Sequence, residues 1–203
     1  MWTELGEIIK AVAPAITATA AAIGAYVGVK GINKWQAEAI GKKKIDLAED
    51  VLAAFYDARD RIKFIRAVEG YAHEGEERKA PEGESNFQKR ERDAAFVPLA
   101  RYENHRQFFS ELMAKRYRLR AQIGPRVDQP FNELQSVISK ILTAARMLMR
   151  TAGARTESSE PLRKEWLAAI YEMDNDPIST RIDAAISDLE KVCQPILEGK
   201  GHR

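Results

Sequence analysis

Cysteine and histidine are both scarce in this chain. Among 203 residues there is one cysteine, Cys193, and there are three histidines. A single cysteine excludes an internal disulfide and a metal site built from several cysteines, and it is typical of a protein in a reducing cytoplasm. No glutamate is followed three residues later by a histidine, so the paired motif of a di-iron bundle is missing too. The sequence therefore predicts no metal site.

An excess of charge of one sign is also lacking. The chain has 32 basic and 30 acidic residues, which gives a formal net charge of +2, so no broad basic surface for nucleic acid is indicated. A glycine-rich phosphate loop is absent. Cys193 has a basic residue nearby only at Lys191, two positions away and on another helical face, so nothing would activate its thiol. We accordingly expect no cofactor, no catalytic residue and no nucleic-acid partner.

The chain does contain a long stretch without charge, from Ala11 to Val29. As a helix with a rise of about 1.5 Å per residue, it is just long enough to cross a hydrocarbon core of about 30 Å. We predict that it forms a single transmembrane helix. Because eight of its residues are alanine, its insertion is marginal, and a buried alanine-rich helix of a soluble protein is the alternative.

Basic residues lie mainly after this stretch. Lys30, Lys34 and the three lysines 42–44 follow it, whereas two glutamates and one lysine precede it. This order disfavours a cleavable signal peptide, in which the basic residues come first. By the positive-inside rule, the short N-terminus is expected outside and the remainder in the cytoplasm. We therefore expect a single-pass protein of the inner membrane with a cytoplasmic C-terminal domain.

Small residues recur at a spacing of four within the stretch, at Ala20, Gly24 and Gly28. Such a ridge lets two helix backbones approach closely in a membrane. Small residues are also common in membrane helices without this role. The partners we expect are the lipid bilayer and either a protein partner or a second copy of the chain.

The rest of the sequence predicts helices and no strands, because apolar residues recur at helical spacing and alternating β-branched runs are absent. We predict an all-α protein: an N-terminal transmembrane helix followed by an antiparallel cytoplasmic bundle. The expected parts are the N-terminus and anchor over 1–31, an amphipathic helix over 32–68, a charged and partly disordered loop over 69–93, the bundle over 94–198 completed by 45–67, and a tail over 199–203.

Within the bundle, helix is expected to resume at Ala94 and to end at Gly124-Pro125. Asp128 is a candidate N-cap of the next helix, and 174–177 is a candidate turn and cap between the last two helices, 161–173 and 178 onward. One shared core is expected from four pairs on the apolar faces: Leu52/Phe55, Phe109/Leu112, Ile138/Ile141 and Leu189/Val192.

The segment after the apolar stretch also carries a recognisable pattern. Gly31-Ile32-Asn33-Lys34-Trp35 is followed by Ala48, Leu52, Tyr56, Arg59 and Ile62 at helical spacing. This pattern resembles a group of uncharacterised bacterial single-pass membrane proteins, in which a Gly-x-x-x-Trp segment and an amphipathic helix follow the membrane span. The resemblance covers about forty residues. It implies the same topology, and it implies no activity and no functional residue.

Two functions remain open. The first is a membrane-anchored helical scaffold or interaction module without catalytic activity. The second is a membrane-tethered enzyme or anion-binding module, for lipid headgroups or nucleic acid, that uses a cluster of arginines. Arg59 and Arg66 lie on or beside an apolar stripe. At such positions arginines usually bury the aliphatic part of the side chain and keep the guanidinium group in water. The candidate anion contacts are Arg59, Arg66, Lys115, Arg116, Arg118 and Arg120.

Overall fold

The computed structural model describes residues 17–69, 74–75, 78–154, 156–173 and 176–199, and the backbone alone of 2–16. Within these ranges all regular secondary structure is helical, which confirms the all-α class. The helices are α1 (Trp2–Arg66), α2 (Asn86–Ile123), α3 (Asp128–Arg150), α4 (Glu160–Ile170) and α5 (Pro177–Leu197), with 3-10 turns at Pro125–Val127 and Glu157–Ser159.

The chain divides into two compact units, Met1–Ile45 and Asp46–Arg203. The first consists of the N-terminal part of α1, whose side chains from Thr17 to Gln36 are exposed. The helix continues without a break past Gly31 and Gly41, as expected from the run of good helix formers around these glycines. The predicted anchor and the predicted amphipathic helix are therefore one element.

The predicted transmembrane helix over 11–29 lies within α1. The side chains of its first part, 11–16, are outside the described part of the chain, whereas 17–29 is described and exposed. Among the described residues, no helix has a stretch that is both long and apolar enough to cross a bilayer. The helical conformation is confirmed, and insertion into a membrane stays a prediction.

Contacts between side chains show the directions of the helices in the second unit. Asp50 pairs with Lys115, and Arg61 contacts His105, so residue numbers rise along α1 as they fall along α2. Equivalent contacts make α1 antiparallel to α5 and α2 antiparallel to α3. The second unit is thus an antiparallel bundle of the end of α1 with α2, α3 and α5, and the short α4 packs against α3.

One apolar core joins these helices. Phe55 of α1 and Phe131 of α3 meet edge to face near its centre, with ring centroids 4.9 Å apart. The eight residues predicted for this core all contribute to it, which confirms the predicted faces. Five are buried and three are partly buried against the core: Phe55, Phe109, Leu112, Ile141 and Leu189, and Leu52, Ile138 and Val192.

The start of α2 corrects the sequence-based boundary. The helix begins at Asn86 and not at Ala94, so its first turns lie in the range predicted as loop. Ser85 is the N-cap: its hydroxyl accepts a hydrogen bond from the Gln88 amide, and the Gln88 side chain accepts one from the Ser85 amide. This reciprocal capping box satisfies two helix-end donors. The sequence did not predict these first turns because the segment is densely charged and its few apolar residues do not recur at helical spacing.

Other helix ends confirm some predictions and correct others. Gly124, with φ of 110°, ends α2 as expected, because this backbone conformation suits glycine. Asp128 is the first residue of α3 rather than its N-cap, and its carboxylate pairs with arginines of α2 instead. Helix α4 ends at Ile170 rather than at Met173. Asp176 caps α5 as predicted, while 174–175 of the same cluster lie outside the described residues.

Candidate functional site

The ridge of Ala20, Gly24 and Gly28 lies on an exposed part of α1. A Cβ atom added at Gly24 or Gly28 would meet nothing within 4 Å. Close backbone approach by another helix is therefore sterically open at both positions.

Large apolar side chains accompany the ridge along the same part of α1. Ile23 is 59% exposed, Val27 61% and Trp35 68%, and Tyr26, Val29, Ile32 and Ile40 are also more than half exposed. Exposed apolar surface of this extent is uncommon on monomeric soluble proteins and usually marks contact with a protein or a membrane. This part of α1 is therefore the first candidate interaction surface.

Arg66, one of the predicted anion contacts, is fully buried in the bundle. Its Nη1 lies 3.0 Å from Oδ1 of Asp176 and donates to Oδ2 of the same carboxylate. Its Nε donates to the carbonyl of Ala169, and its Nη2 donates to the carbonyls of Ala168 and Tyr171. These carbonyls belong to the C-terminal end of α4, whose last acceptors have no partner within the helix. Arg66 thus caps α4 from inside the protein.

Asp176, the ion-pair partner of Arg66, also caps the start of α5. Its Oδ1 accepts hydrogen bonds from the amides of Ile178 and Ser179, and its Oδ2 accepts one from the Ser179 hydroxyl. Burial alone would raise the pKa of Asp176, but the bonds from Arg66 and Ser179 outweigh it and lower the pKa. The carboxylate therefore stays ionised and joins the end of α1 to the start of α5, while Arg66 joins both to the end of α4.

A second buried arginine, Arg101 of α2, does the same for the C-terminal end of α1. Its Nη1 donates to the carbonyls of Phe64 and Ala67, at 2.8 and 2.9 Å. Its Nη2 donates to the carbonyl of Glu69 and, at 2.7 Å, to the Glu74 carboxylate. Arg101 was not among the predicted functional residues. Its position on the apolar face of a predicted helix could have indicated a buried, hydrogen-bonded arginine.

Four of the other five predicted anion contacts have carboxylate partners, and these partners lie on different helices. Arg59 pairs with Asp60 and, more loosely at 3.8 Å, with Asp183 of α5. Arg116 and Arg120 both pair with Asp128, at 2.8 and 2.7 Å.

Lys115 pairs with Asp50, and Arg118 is exposed. Arg59, Arg66 and Arg116 therefore have different acceptors on different helices rather than one shared pocket. The use of these residues for anion binding stays a prediction.

Four arginines that are not among the predicted anion contacts lie around a groove between α2 and α3: Arg78, Arg92, Arg146 and Arg150. Arg78 and Arg92 are bridged by Glu84, at 2.6 Å from each. The bond from Arg78 lowers the pKa of Glu84 and keeps it ionised. The sequence feature that could have indicated this groove is the pair Arg146 and Arg150, which lie one turn apart on α3.

Two further reactive side chains of the second unit, Cys193 and His105, have pKa values that burial changes. Burial of Cys193 raises the pKa of its thiol to about 11, so the thiolate needed for nucleophilic chemistry is not formed near neutral pH. Burial, followed by the charge of Arg61, lowers the pKa of His105. In the described part of the chain, no group of three or more potential metal-ligating side chains comes together.

Comparison with known proteins adds no relative. No protein-family model matches the chain, and no curated protein or solved structure matches it either. The resemblance to bacterial single-pass membrane proteins stays a prediction.

Proposed function

We propose that this protein is a membrane-anchored helical scaffold. In this proposal the segment 11–29 crosses the inner membrane, and the bundle formed by Asp46–Arg203 lies in the cytoplasm and binds a protein partner or a second copy. The observation that carries the proposal is the row of exposed apolar side chains on α1, from Ile23 to Ile40. In water this surface is unfavourable, at roughly 25 cal/mol per Å² of apolar area. Lipid or another helix would cover it.

The charge pattern supports the orientation. Lys30 and Lys34 follow the apolar stretch on the same helix, and the three lysines 42–44 come about two turns later. Lysines beside a span favour the cytoplasmic side. A reporter fused after Arg203 that is active only outside the inner membrane should stay inactive, and an active reporter would contradict the orientation.

The bundle supports a binding role rather than catalysis. Its buried charges, Arg66, Arg101 and Asp176, bond to helix ends and to one another, and Cys193 is held as a thiol. Such groups fix the helices in place. The alternative of an anion-binding module using Arg59, Arg66 and Arg116 receives less support, because each of these guanidiniums already has a carboxylate partner.

Anchoring can be tested by placing charge in the apolar stretch. A lysine near the centre of a span costs about 2.5–3.5 kcal/mol on the insertion scale. Ile23→Lys combined with Val27→Lys should therefore convert a carbonate-resistant membrane protein into one that carbonate extracts. Tyr117→Lys is the matched control, because Tyr117 is 73% exposed on the bundle. A wild-type chain that carbonate extracts would contradict anchoring, and so would the double variant resisting extraction.

Self-association can be tested on the same helix. Gly24→Leu and Gly28→Leu should lower the yield of cross-linked dimer in membranes, because the added side chains hold the backbones apart. Ala22→Leu adds similar bulk at about 200° around the helix from Ala20 and should leave the yield unchanged. Unchanged yield in both glycine variants would shift any dimer contact to the bundle.

A further inference from the structure

A groove of about 550 Å³ lies in the second unit, between α2 and the end of α3. Phe96, Leu99 and Met149 form its apolar walls. Small-molecule sites commonly have volumes of about 300–1,000 Å³ and combine apolar walls with a few polar groups. The groove therefore has the size and the lining of a ligand site.

The polar groups of this groove are all cationic. Its lining residues include four arginines and no carboxylate. Glu84 and Asp93 hold Arg78 through Nη2 and Nε, at 2.6 and 2.9 Å. Glu84 and the carbonyl of Met149 hold Arg92 through Nη1 and Nε. These contacts fix both guanidiniums, and within the described residues they leave Nη1 of Arg78 and Nη2 of Arg92 without an acceptor.

Arg146 and Arg150 supply charge that the described residues do not neutralise. Both are exposed, they stand one turn apart on α3, and neither forms an ion pair in the described part of the chain. Like charges at this spacing repel each other. The hydrogen bond of Arg150 goes to Sδ of Met147, which is a weak acceptor. An anion between the two guanidiniums would replace this repulsion with attraction.

We propose that this groove binds an apolar molecule that ends in a phosphate monoester. Such a group carries about −1.5 to −2 charges at neutral pH, which matches the two arginines without carboxylate partners. Guanidinium groups bind phosphate through paired N–H donors, and two fixed guanidiniums are already in place. The apolar part of the ligand would cover Phe96, Leu99 and Met149. Inorganic phosphate would leave those walls in water, and a neutral amphiphile would leave the arginines without an anion.

Calorimetric titration of the full chain in nanodiscs of neutral phosphatidylcholine tests this proposal, with empty nanodiscs as the blank. The three probes are octyl phosphate, inorganic phosphate and octyl glucoside. We expect octyl phosphate to bind at least about tenfold more tightly than either of the others, because it alone carries both parts of the ligand. Equal binding of inorganic phosphate or of octyl glucoside would overturn the proposal, as would the absence of saturable binding by octyl phosphate.

Arg146→Gln combined with Arg150→Gln should weaken octyl phosphate binding at least about tenfold, since both donors of charge are removed. Because both side chains are exposed, thermal unfolding should stay close to wild type, which a melting curve checks. Arg106→Gln combined with Arg126→Gln removes the same charge at exposed positions outside the groove and should leave affinity unchanged. Equal loss in both double variants would indicate a general charge effect and overturn the site. The groove lies wholly within Asp46–Arg203. A chain that does not enter nanodiscs would be titrated in buffer with the same probes, so the outcome does not depend on membrane anchoring.

Discussion

Replacing Arg66 by methionine should be among the most damaging single substitutions in the bundle. The methionine side chain matches the stem of arginine as far as Nε and has no charge, so the change removes the guanidinium and keeps most of the stem. In the native protein this guanidinium neutralises Asp176 and donates to three carbonyl groups at the end of α4. After the substitution, the Asp176 carboxylate, whose side chain is 3% exposed, has no cation beside it.

The size of the loss follows from these contacts. Leaving one member of a buried ion pair without its partner costs about 3–5 kcal/mol. The three carbonyls would add about 1 kcal/mol each if they stayed dry. Asp176 keeps its bonds from Ile178 and Ser179, which offset part of the penalty. We expect a loss of about 4 kcal/mol, which is a large share of the 5–15 kcal/mol that typically separates folded and unfolded states.

Urea unfolding of the full chain in a neutral detergent can measure this loss. The fluorescence of Trp166, which packs against the core, reports on the bundle once Trp2 and Trp35 are replaced by phenylalanine. Arg106→Met is the control, because Arg106 and its partner Glu103 are exposed and such pairs contribute at most about 1 kcal/mol. The double variant of Arg66→Met with Asp176→Asn should lose less than the sum of the single losses. A loss in Arg66→Met no larger than in Arg106→Met would refute this account of the buried pair.

Three further predictions concern the bundle. The pKa of His105 is lowered in the folded state, first by burial and then by the charge of Arg61. His105 should therefore leave the free energy of unfolding at its full value above the unfolded pKa of about 6.5, and this free energy should decrease as the pH falls through the lower folded pKa. Melting temperatures between pH 8 and 5.5 should show this slope, and His105→Gln should reduce it. Cys193, with a buried thiol whose pKa is about 11, should react with a maleimide at pH 7.5 only as fast as the protein opens, so labelling as rapid as in urea would contradict its burial. Ile141→Asp should abolish cooperative unfolding, because it places an unpaired charge in the core, and an unchanged melting curve would count against that core.

The helix faces could be predicted from the sequence because they depend on local spacing alone. The face of α3 repeats every three or four residues, and its members Leu134, Val137, Ile141 and Leu148 are all buried. The early start of α2 could have been found as well, since Ser85 and Gln88 stand three residues apart in the order typical of a capping box. Dense charge alone was a poor sign of disorder, because Arg78, Glu84, Arg92 and Asp93 pair with one another.

The buried arginines could not be predicted in the same way. The partners of Arg66 lie more than one hundred residues later in the chain, and Arg101 bonds to carbonyl groups that no side-chain pattern reveals. The groove around Arg146 and Arg150 likewise depends on how α2 and α3 meet. Spacing along one helix identifies the face that is buried, but it does not identify the group that this face meets.

The large sequence separation between Arg66 and Asp176 delays the formation of their ion pair during synthesis. Asp176 follows Arg66 by 110 residues, so at about 5–20 residues per second the ribosome needs about 5–20 s to deliver the carboxylate after the guanidinium. Throughout this interval Arg66 lacks its carboxylate, and the side of α1 that carries Tyr56 and Arg59 has no α5 to pack against. A nascent chain paused before Asp176 therefore presents an amphipathic helix of the kind that chaperones bind, and release from the chaperone should follow the appearance of the last helix.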